Sequence, residues 1–509
     1  MSSLALPRDA ARTRTTGRGL PAVFSQRGTD VLLAIVLMAL AAALLANIAG
    51  GFGVDSWLAL VAGRDVWQNG IPHHETLTVV AHGVTWIDQQ WLSQIVSYGI
   101  FRLGGLGLYG LASVALFSCG LAGATIAARR LGAPPRSVLL VLPICLVLIA
   151  PRHEVRTQDF AMPLFVVLAY LLASDSRAPS RRVYWCFPIL VLWANLHGTV
   201  TLGAGLVGLR GLTVAWERRH LLAHSLHQWR RPGALILGGV ISILITPYGV
   251  GILGYYRSTI FSSTLRHAVT EWQPITTAPA TAVFFFILAG VALWSFGRWP
   301  SRTTTWERLA LLALAAASIS VIRNVLFFGL LAVMILPLSL AAQGHAAEQP
   351  ADRGRGRINA LLASGALLAV IITTSTTLLR PASGIELHFQ RTGVLDAVQR
   401  VTQADPSLRV LTDDRFGDWL LWRDPALSGR IANDVRFELL TATQIDRIEA
   451  VFAVSGPNWK QGADGYRVVV LDQQDDPNAV YAFTHEPGSR VLYNDGVRVV
   501  ILRSASEGR

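Results

Sequence analysis

Long apolar blocks follow one another through the first three quarters of the chain. The two clearest cover residues 31–50 and 358–379, and each is close to the roughly 20 residues that an α-helix needs to cross a bilayer. We interpret eleven blocks, some of them short, as membrane spans: 31–50, 107–127, 137–151, 160–174, 183–197, 199–216, 233–253, 280–297, 308–322, 325–342 and 358–379. The pattern predicts a polytopic α-helical membrane protein with about eleven spans.

The pattern changes after residue 380, where short apolar stretches alternate with polar residues. "YRVVVLD" (466–472) and "VRVVILR" (497–503) predict strands, "TGVLDAVQRVTQ" (392–403) predicts a helix, and "YNDGVRVV" contains an Asp-Gly hairpin signal. These elements predict a small α/β domain. The chain therefore divides into a cytoplasmic Arg-rich N-terminus (1–30), a transmembrane domain (31–380) with a long first outer loop (51–106), and an extracytoplasmic α/β domain (381–509).

Charge is distributed unevenly along the 509 residues, of which 52% are hydrophobic and only 15% are charged. A soluble chain averages about 25% charged residues. The part before residue 381 carries 30 Lys and Arg against 14 Asp and Glu, and the remainder carries 14 against 18. Because the arginines lie in short loops between spans, the positive-inside rule explains this excess better than nucleic-acid binding does.

The arginines also orient the chain in the plasma membrane. With the N-terminus in the cytoplasm, the cytoplasmic segments hold 21 of the 30 basic residues before residue 381, and the outer loops hold 7. An odd number of spans then places the C-terminal domain outside the cell.

Polar side chains gather on the outer side of this topology. The first outer loop (51–106) is too long for a plain connector. Residues 57–67 and 89–105 predict two helices that lie on the membrane, and Gly104 and Gly105 end the second one. Later outer loops also carry acids, amides and histidines, whereas the cytoplasmic loops are Arg-rich and turn-like. This asymmetry predicts a functional site at the outer surface.

Asp55, which comes shortly after the first span, is the candidate catalytic residue. A carboxylate beside a lipid-facing cavity can deprotonate an acceptor hydroxyl. It can also hold a divalent cation together with Glu75 or Asp88. The third alternative is an ordinary helix N-cap, because "VDSWLALV" places the Asp just before a helical run.

The other candidates are polar residues that the predicted topology places on the same side of the membrane as Asp55. The imidazoles and the carboxylate of "HHE" can ligate a metal, bind phosphate or cap a turn. The cations of "RHEVR" can grip a phosphate headgroup or can be snorkelling interfacial residues. The candidate substrate-binding residues are His73, His74, Glu75, Asp88, Arg152, His153, Arg156, Asn195, His197, Glu271 and Arg323.

Four of these positions need a separate interpretation. Glu271 precedes Trp272, and a carboxylate beside an aromatic face suits a sugar, although Trp is also a routine interfacial anchor. Arg323 lies between two apolar spans, where a lone charge is costly, which favours a function. Asn195 and His197 belong to a tight outer turn and fit a hydrogen-bonded turn as well as a ligand contact. The three cysteines lie in apolar blocks without a C-x-x-C pair, so no zinc site or disulfide is predicted.

A set of motifs extends over most of the chain, about residues 50–505. It comprises "VDSWLALVAGRDVWQNGIPHHETLT", "TWIDQQWL", "RTQDF", "WANLHGTVTLG", "TPYG", "EWQP", "RNVLFFG" and "DDRFGDWLLW". In this order the motifs resemble bacterial multi-spanning proteins of the glycosyltransferase C superfamily, in a branch with a small extracytoplasmic C-terminal domain. The resemblance implies a polyprenyl-phosphate-sugar donor, an extracytoplasmic active site and an acid in the first outer loop, where Asp55 is the matching position. Members often carry a second, close acid, and here the companion position is Gly53.

The sequence therefore favours a membrane glycosyltransferase that moves a sugar from a polyprenyl-phosphate donor to a glycan, lipid or protein acceptor of the cell envelope. Asp55 would act as base, and Arg152, Arg156 and Arg323 would hold the phosphate. No cofactor is firmly predicted, and a divalent cation stays open. The alternative is a non-catalytic envelope-assembly or transport protein whose C-terminal domain binds a partner.

Overall fold

The computed structural model describes residues 21–222, 225–341, 353–386, 389 and 392–504. Most of the predicted Arg-rich N-terminus lies outside these ranges. The described helices are α1 Pro21–Ala46, α2 Ile48–Gly51, α3 Val54–Asn69, α4 Trp91–Arg130, α5 Pro135–Ile149, α6 Ala161–Arg177, α7 Cys186–Leu196, α8 Val200–Glu217, α9 Arg219–Leu222, α10 Arg230–Leu244, α11 Ile252–Ile260, α12 Ser263–Ala268, α13 Pro279–Arg298, α14 Thr305–Ser320, α15 Val325–Leu340, α16 Arg353–Leu379, α17 Ala382–Ile385, α18 Thr392–Ala404, α19 Asp414–Arg423, α20 Ala442–Ala453 and α21 Pro477–Thr484. The strands are β1 Val410–Leu411, β2 Val468–Asp472, β3 Arg490–Asn494 and β4 Arg498–Leu502.

The predicted multi-span architecture is confirmed, and all eleven predicted blocks overlap helices. In the described ranges, seven helices are long and apolar enough to cross a bilayer: Gly28–Ala46, Trp91–Arg130, Pro135–Arg152, Thr157–Arg177, Pro279–Arg298, Ile322–Leu340 and Gly356–Leu379. The pair His227–Leu244 and Gly249–Ile260, bent by 100°, would add an eighth. Because α7 has 11 residues and α14 has 16, they are too short for this count, and the number eleven stays a prediction.

Helix α15 forms the centre of the membrane bundle. Its side chains are apolar on every face, and all residues from Val325 to Ser339 are buried. A helix that is hydrophobic all round is stable only when it is surrounded, and α15 packs against α4, α5, α13 and α14. One end of this bundle, which the sequence predicts to be the outer one, carries the polar loops.

The first outer loop contains the two helices that the sequence predicts. The first is α3, and the second is the initial part of α4, which the non-helical Gly104 and Gly105 separate from the spanning part. Gly105 has φ = 65°, a conformation that favours glycine. The two helices pack closely, because a Cβ atom added to Gly63 would lie 2.2 Å from the carbonyl oxygen of Gln94.

The C-terminal domain is α/β, as predicted. Its sheet has the order β1-β2-β4-β3, with β1 parallel to β2 and the other two pairs antiparallel. The predicted Asp-Gly turn joins β3 to β4, and Gly496 has φ = 83°.

The first outer loop extends this sheet beyond β1. Ile431 forms bridges to both Val410 and Thr78, and the Val79 amide donates to the Ile431 carbonyl at 2.8 Å. Apolar side chains of α3, including Trp57 and Leu60, share one buried cluster with residues of the C-terminal domain. The boundary at residue 381 therefore divides the chain by composition but cuts through a common core.

The contact of Gly63 with α4 gives a test of this packing. We expect Gly63→Ala to lower the melting temperature of the detergent-purified protein, because the methyl group would push two helix backbones apart at a cost of about 1–3 kcal/mol. Thermal unfolding followed by circular dichroism measures the change.

Gly99→Ala on α4 is the matched control, since nothing lies within 4 Å of its added Cβ. Replacing a helix glycine by alanine in open space favours the helix by about 0.5–1 kcal/mol, so this variant should melt no lower than the wild type. Equal melting temperatures for the two variants would contradict the described packing of α3 on α4.

Candidate active site

The candidate site is organised around the buried guanidinium of Arg156, whose side chain is only 7% exposed. Arg156 lies in an extended segment just before the helical turn that leads into α6. Backbone contacts fix this segment against the first outer loop, because the Val155 amide donates to the Gly51 carbonyl at 2.7 Å and Ser56 Oγ donates to the Val155 carbonyl. The beginning of α3 and the Arg156 segment are thus held together.

Three carboxylates from three different segments surround Arg156 Nη1. Glu271 Oε1 lies at 2.9 Å, Asp55 Oδ2 at 3.5 Å and Glu154 Oε2 at 3.8 Å. Burial alone would raise the pKa of Glu271, but Arg156 and Arg323 outweigh it and lower that pKa to about 2. Glu271 is therefore an ionised, strongly paired carboxylate at neutral pH.

Asp55 is not the N-cap that local sequence allows. The cap of α3 is Gly53, and Ser56 Oγ accepts from the Gly53 amide at 3.1 Å. Asp55 is the second residue of the helix, where the positive end of the helix dipole favours a carboxylate. Its side chain is 37% exposed, and its contact with Arg156 is long. This carboxylate therefore remains open to a ligand.

Arg323 and His197 continue the cluster on the far side of Glu271. Arg323 Nε lies 3.9 Å from Glu271 Oε2, and Arg323 Nη2 lies 3.1 Å from His197 Nε2. Since arginine can only donate, Nε2 is the acceptor of this contact, and Nδ1 lies 2.9 Å from Thr199 Oγ1 and accepts from the Thr199 amide at 3.2 Å. Asp55, Arg156, Glu271, Arg323 and His197 thus form one continuous chain of contacts, although they come from five different segments.

Two arginines offer donors that the protein does not use. The Nε atoms of Arg152 and Arg323 are buried and have no hydrogen-bond partner within the described ranges. An unpaired buried donor costs about 1–3 kcal/mol. Arg152 interacts electrostatically with Glu271, and its Nη2 donates to Thr281 Oγ1 at 3.1 Å. Both arginines thus have an N–H group with which an anionic ligand can form a hydrogen bond.

His153 lies behind this cluster and is neutral. Its Nε2 is 3.3 Å from Ser113 Oγ, its ring contacts Phe117, and burial together with Arg156 lowers its pKa to about 4. Ser113 donates to Asp159, the acid of "RTQDF". The prediction of His153 as a phosphate ligand gains no support from this position, since a neutral imidazole bonded to a hydroxyl is a packing group.

Three other predicted residues lie away from the Arg156 cluster. The Asn195 amide is used within the protein, where it accepts from Trp91 Nε1 and donates to the carbonyls of Val191 and Ile245. The turn interpretation of Asn195 is thus the one that fits. His73 contacts the Tyr248 ring, and His74 is exposed in a bridge to Thr85.

Glu75 is bonded within the protein, to the backbone of its own loop and to an arginine of the C-terminal domain. Glu75 Oε1 accepts from the amides of residues 77 and 78, and its Oε2 pairs with the buried Arg436 at 2.5 Å. Arg436 also pairs with Asp434. In the described part of the chain, no group of three or more His, Cys, Asp or Glu side chains is placed to hold a metal ion. Glu75 is therefore engaged by Arg436, and a divalent cation at Asp55 stays a prediction.

Two further acids belong to the site although sequence reasoning did not select them. Glu154 lies beside Gly53, since a Cβ atom there would be 3.6 Å from Glu154 Oε2. Position 53 provides no acid, but Glu154 of the next outer loop places a carboxylate beside it. No local sequence motif indicates this contact.

The other acid is Glu438 of the C-terminal domain. Its neighbour Leu439 packs on α3 residues and Trp86. Glu438 is open to solvent, but surrounding protein desolvates it and, with Asp434 and Asp55 nearby, raises its pKa to about 7. Asp88 also interacts with Glu438, and burial raises the pKa of Asp88 to about 7. The C-terminal domain therefore places a carboxyl group near Asp55.

Comparisons of the whole fold show what this chain resembles. No protein-family model matches it, and no curated protein matches it in sequence. The oligosaccharyltransferase AglB from Archaeoglobus fulgidus, solved with an inhibitory peptide and a dolichol-phosphate, matches with a TM-score of 0.52 and 12% identity, over 87% of this chain and 69% of that one.

ArnT from Cupriavidus metallidurans, solved with undecaprenyl phosphate bound, matches with a TM-score of 0.51 and 14% identity. The match covers 94% of this chain and 99% of that one, so membrane and C-terminal parts are both included. The motif order predicts this fold, and the comparison confirms the fold. The chain is a multi-pass membrane protein with the glycosyltransferase C fold.

Proposed function

We propose that this protein is a membrane glycosyltransferase that moves a sugar from a polyprenyl-phosphate donor to a cell-envelope acceptor. The observation that carries the proposal is the contact chain from Asp55 through Arg156, Glu271 and Arg323 to His197. A carboxylate that would act as base and unpaired arginine N–H groups that would bind phosphate occur together at one end of the membrane bundle. The fold supports the proposal, because ArnT and AglB were solved with polyprenyl-type phosphates.

Arg152 and Arg323 would bind the phosphate of the donor. Guanidinium groups match phosphate oxygens through parallel hydrogen bonds, and both Nε donors lack a partner among the described residues. When the bond between the sugar and the phosphate breaks, negative charge grows on the phosphate. The two arginines would stabilise that charge more strongly in the transition state than in the bound donor.

Arg156 has a different role from the phosphate ligand expected from sequence. Its guanidinium faces three carboxylates, which already neutralise it. We therefore assign Arg156 as a positioning residue that holds Asp55 and Glu271 in place.

Asp55 is the best-placed general base. A base must take up a proton, and Glu271 is a poor one because two arginines lower its pKa to about 2. Asp55 has a single long contact with Arg156. It would accept the proton of the acceptor hydroxyl while the hydroxyl oxygen bonds to the anomeric carbon and the bond from this carbon to the phosphate oxygen breaks. The products are the glycosylated acceptor, polyprenyl phosphate and protonated Asp55.

The proposal places this chemistry at the outer face of the plasma membrane. The basic residues before residue 381 divide 21 to 7 between the two sides, which puts the N-terminus in the cytoplasm and the C-terminal domain outside. A lipid-linked donor keeps its chain in the bilayer and its phosphosugar at this surface.

Reporter fusions test that orientation. Alkaline phosphatase is active only outside the cytoplasm, so we expect activity when it is fused after residue 509 and none when it is fused after residue 350. A fluorescent protein that matures only in the cytoplasm should give the opposite result. Activity of the same reporter at both positions would refute the orientation.

Asp55→Asn and Arg323→Gln should have different effects on transfer. Asn keeps the size and hydrogen bonding of Asp55 but removes the base, so the rate at saturating donor should fall by roughly 10²–10⁴-fold. Arg323→Gln removes a hydrogen bond to the phosphate, so the KM for the lipid-linked sugar should rise by about tenfold. The measurement is release of undecaprenyl phosphate from a panel of undecaprenyl-phosphate-linked hexoses and pentoses, in proteoliposomes with an envelope extract as acceptor.

The matched controls are Asp65→Asn on the same helix and the exposed Arg257→Gln on α11. Both should keep the wild-type rate and KM. Normal turnover of Asp55→Asn would shift the base to Glu154, Asp88 or Glu438. No release from any donor by the wild-type protein would instead favour a non-catalytic envelope-assembly role.

A further inference from the structure

A cavity with charged and apolar lining residues lies where the helix that ends at Leu379 meets the C-terminal domain. It has a volume of about 520 Å³. Its lining comes from α3, the glycine break of α4, the end of α16 and the helices α17 and α19, and includes Arg64, Arg380, Arg423 and Glu386. Arg64 comes nine residues after Asp55, about 13 Å further along α3. None of the residues of the Arg156 cluster lines this cavity.

The cavity has an excess of positive charge. Arg64 donates to the carbonyls of Leu421 and Trp422, so its position is fixed. Glu386 is the carboxylate of the lining, and it is already used by Trp419 Nε1 at 3.1 Å and by Arg423 at 3.5 Å. The Arg380 side chain has no hydrogen-bond or ion-pair partner among the described residues. Its charge is therefore available to a ligand.

The surroundings of the cavity identify it as a membrane-surface site. Trp67, Tyr98, Phe101 and Trp422 form a connected aromatic cluster beside it, with ring centroids as close as 4.7 Å. Tyr and Trp concentrate at the level of lipid headgroups.

Exposed leucines continue from the cavity onto the apolar surface. Leu103 is 84% exposed and Leu379 is 83% exposed, and Leu378 lines the cavity itself. Because these leucines adjoin α4 and α16, two helices long and apolar enough to cross a bilayer, they lie where acyl chains run. Arginines at headgroup level next to leucines at acyl level match the two halves of a phospholipid.

We propose that this cavity binds the phosphate headgroup of an anionic lipid, with its acyl chains against the exposed leucines. Arg380 and Arg423 would contact the phosphate, and Arg64 would support it from the wall of α3. The proposal does not depend on glycosyl transfer. A bound lipid would join α16 to the C-terminal domain at the point where the chain leaves the membrane.

The experiment uses the full chain purified in maltoside micelles and titrated with dioctanoyl phosphatidylglycerol. We expect a saturable rise in melting temperature, because a ligand of the folded state stabilises it by mass action. Dioctanoyl phosphatidylcholine and inorganic phosphate at the same concentrations should produce little rise. Native mass spectrometry should show one retained phosphatidylglycerol.

The variants Arg380→Gln and Arg423→Gln should each weaken the apparent affinity for phosphatidylglycerol by about tenfold, since each removes a charge-assisted hydrogen bond. Arg380 has no described partner, so its substitution should leave the lipid-free melting temperature unchanged. The matched control is Arg102→Gln, an exposed arginine over Trp67 in the same aromatic cluster but outside the cavity lining.

Retained affinity in Arg102→Gln with loss in the other two supports the site. An equal loss in all three variants, or an equal response to phosphatidylcholine, would overturn it. A rise produced by inorganic phosphate alone would overturn the assignment to a lipid, and no rise with phosphatidylglycerol would overturn the proposal as a whole.

Discussion

Neutralising the buried charge of Arg156 is the constraint on which the outer half of this molecule depends. An arginine removed from water without a counter-charge costs several kcal/mol. Here three carboxylates meet this need, and they come from the first outer loop, the Arg156 segment itself and the loop before α13. Satisfying one guanidinium therefore brings distant parts of the chain to one place. The geometry proposed for catalysis follows from this electrostatic requirement rather than from any single loop.

A second buried arginine does the same for the C-terminal domain. Arg436 pairs with Asp434 of its own domain and with Glu75 of the first outer loop, and it lies 4.3 Å from the centre of the Trp86 ring. The first outer loop thus contributes one carboxylate to each arginine, Asp55 to the membrane domain and Glu75 to the C-terminal domain. The position of Glu438 near Asp55 depends on this double attachment.

Local signals in the sequence predict the elements well and predict the contacts between them poorly. The apolar blocks locate the membrane helices, and Gly104–Gly105 marks the break in α4, because span length and backbone freedom are local properties. Asp55, Arg156 and Arg323 emerge as candidates because they are charges on one side of an apolar bundle. The N-cap alternative for Asp55 fails by two positions, a difference that only the backbone of Gly53 decides.

The features that the sequence does not predict depend on partners that are distant in the chain. Nothing around Glu154 indicates that it lies beside Gly53, and nothing around Glu438 indicates that it interacts electrostatically with Asp55. Glu75 is an attractive metal ligand in sequence, but its partner Arg436 is some 360 residues away. The hydrogen bond of Asn195 is equally hard to predict from local sequence, because the indole that it binds belongs to the start of α4.

The strand that the first outer loop adds to the C-terminal sheet has a consequence for how the protein is made. The amides of Val79 and Val80 bond to the carbonyls of Ile431 and Ala432, about 350 residues later in the chain. At a synthesis rate of 5–20 residues per second, the loop waits on the order of 20–70 s for its partner. During that time its edge is open to other strands, and an unpaired strand edge favours aggregation. Completion of the sheet therefore requires the first outer loop and the C-terminal domain to lie on the same side of the membrane.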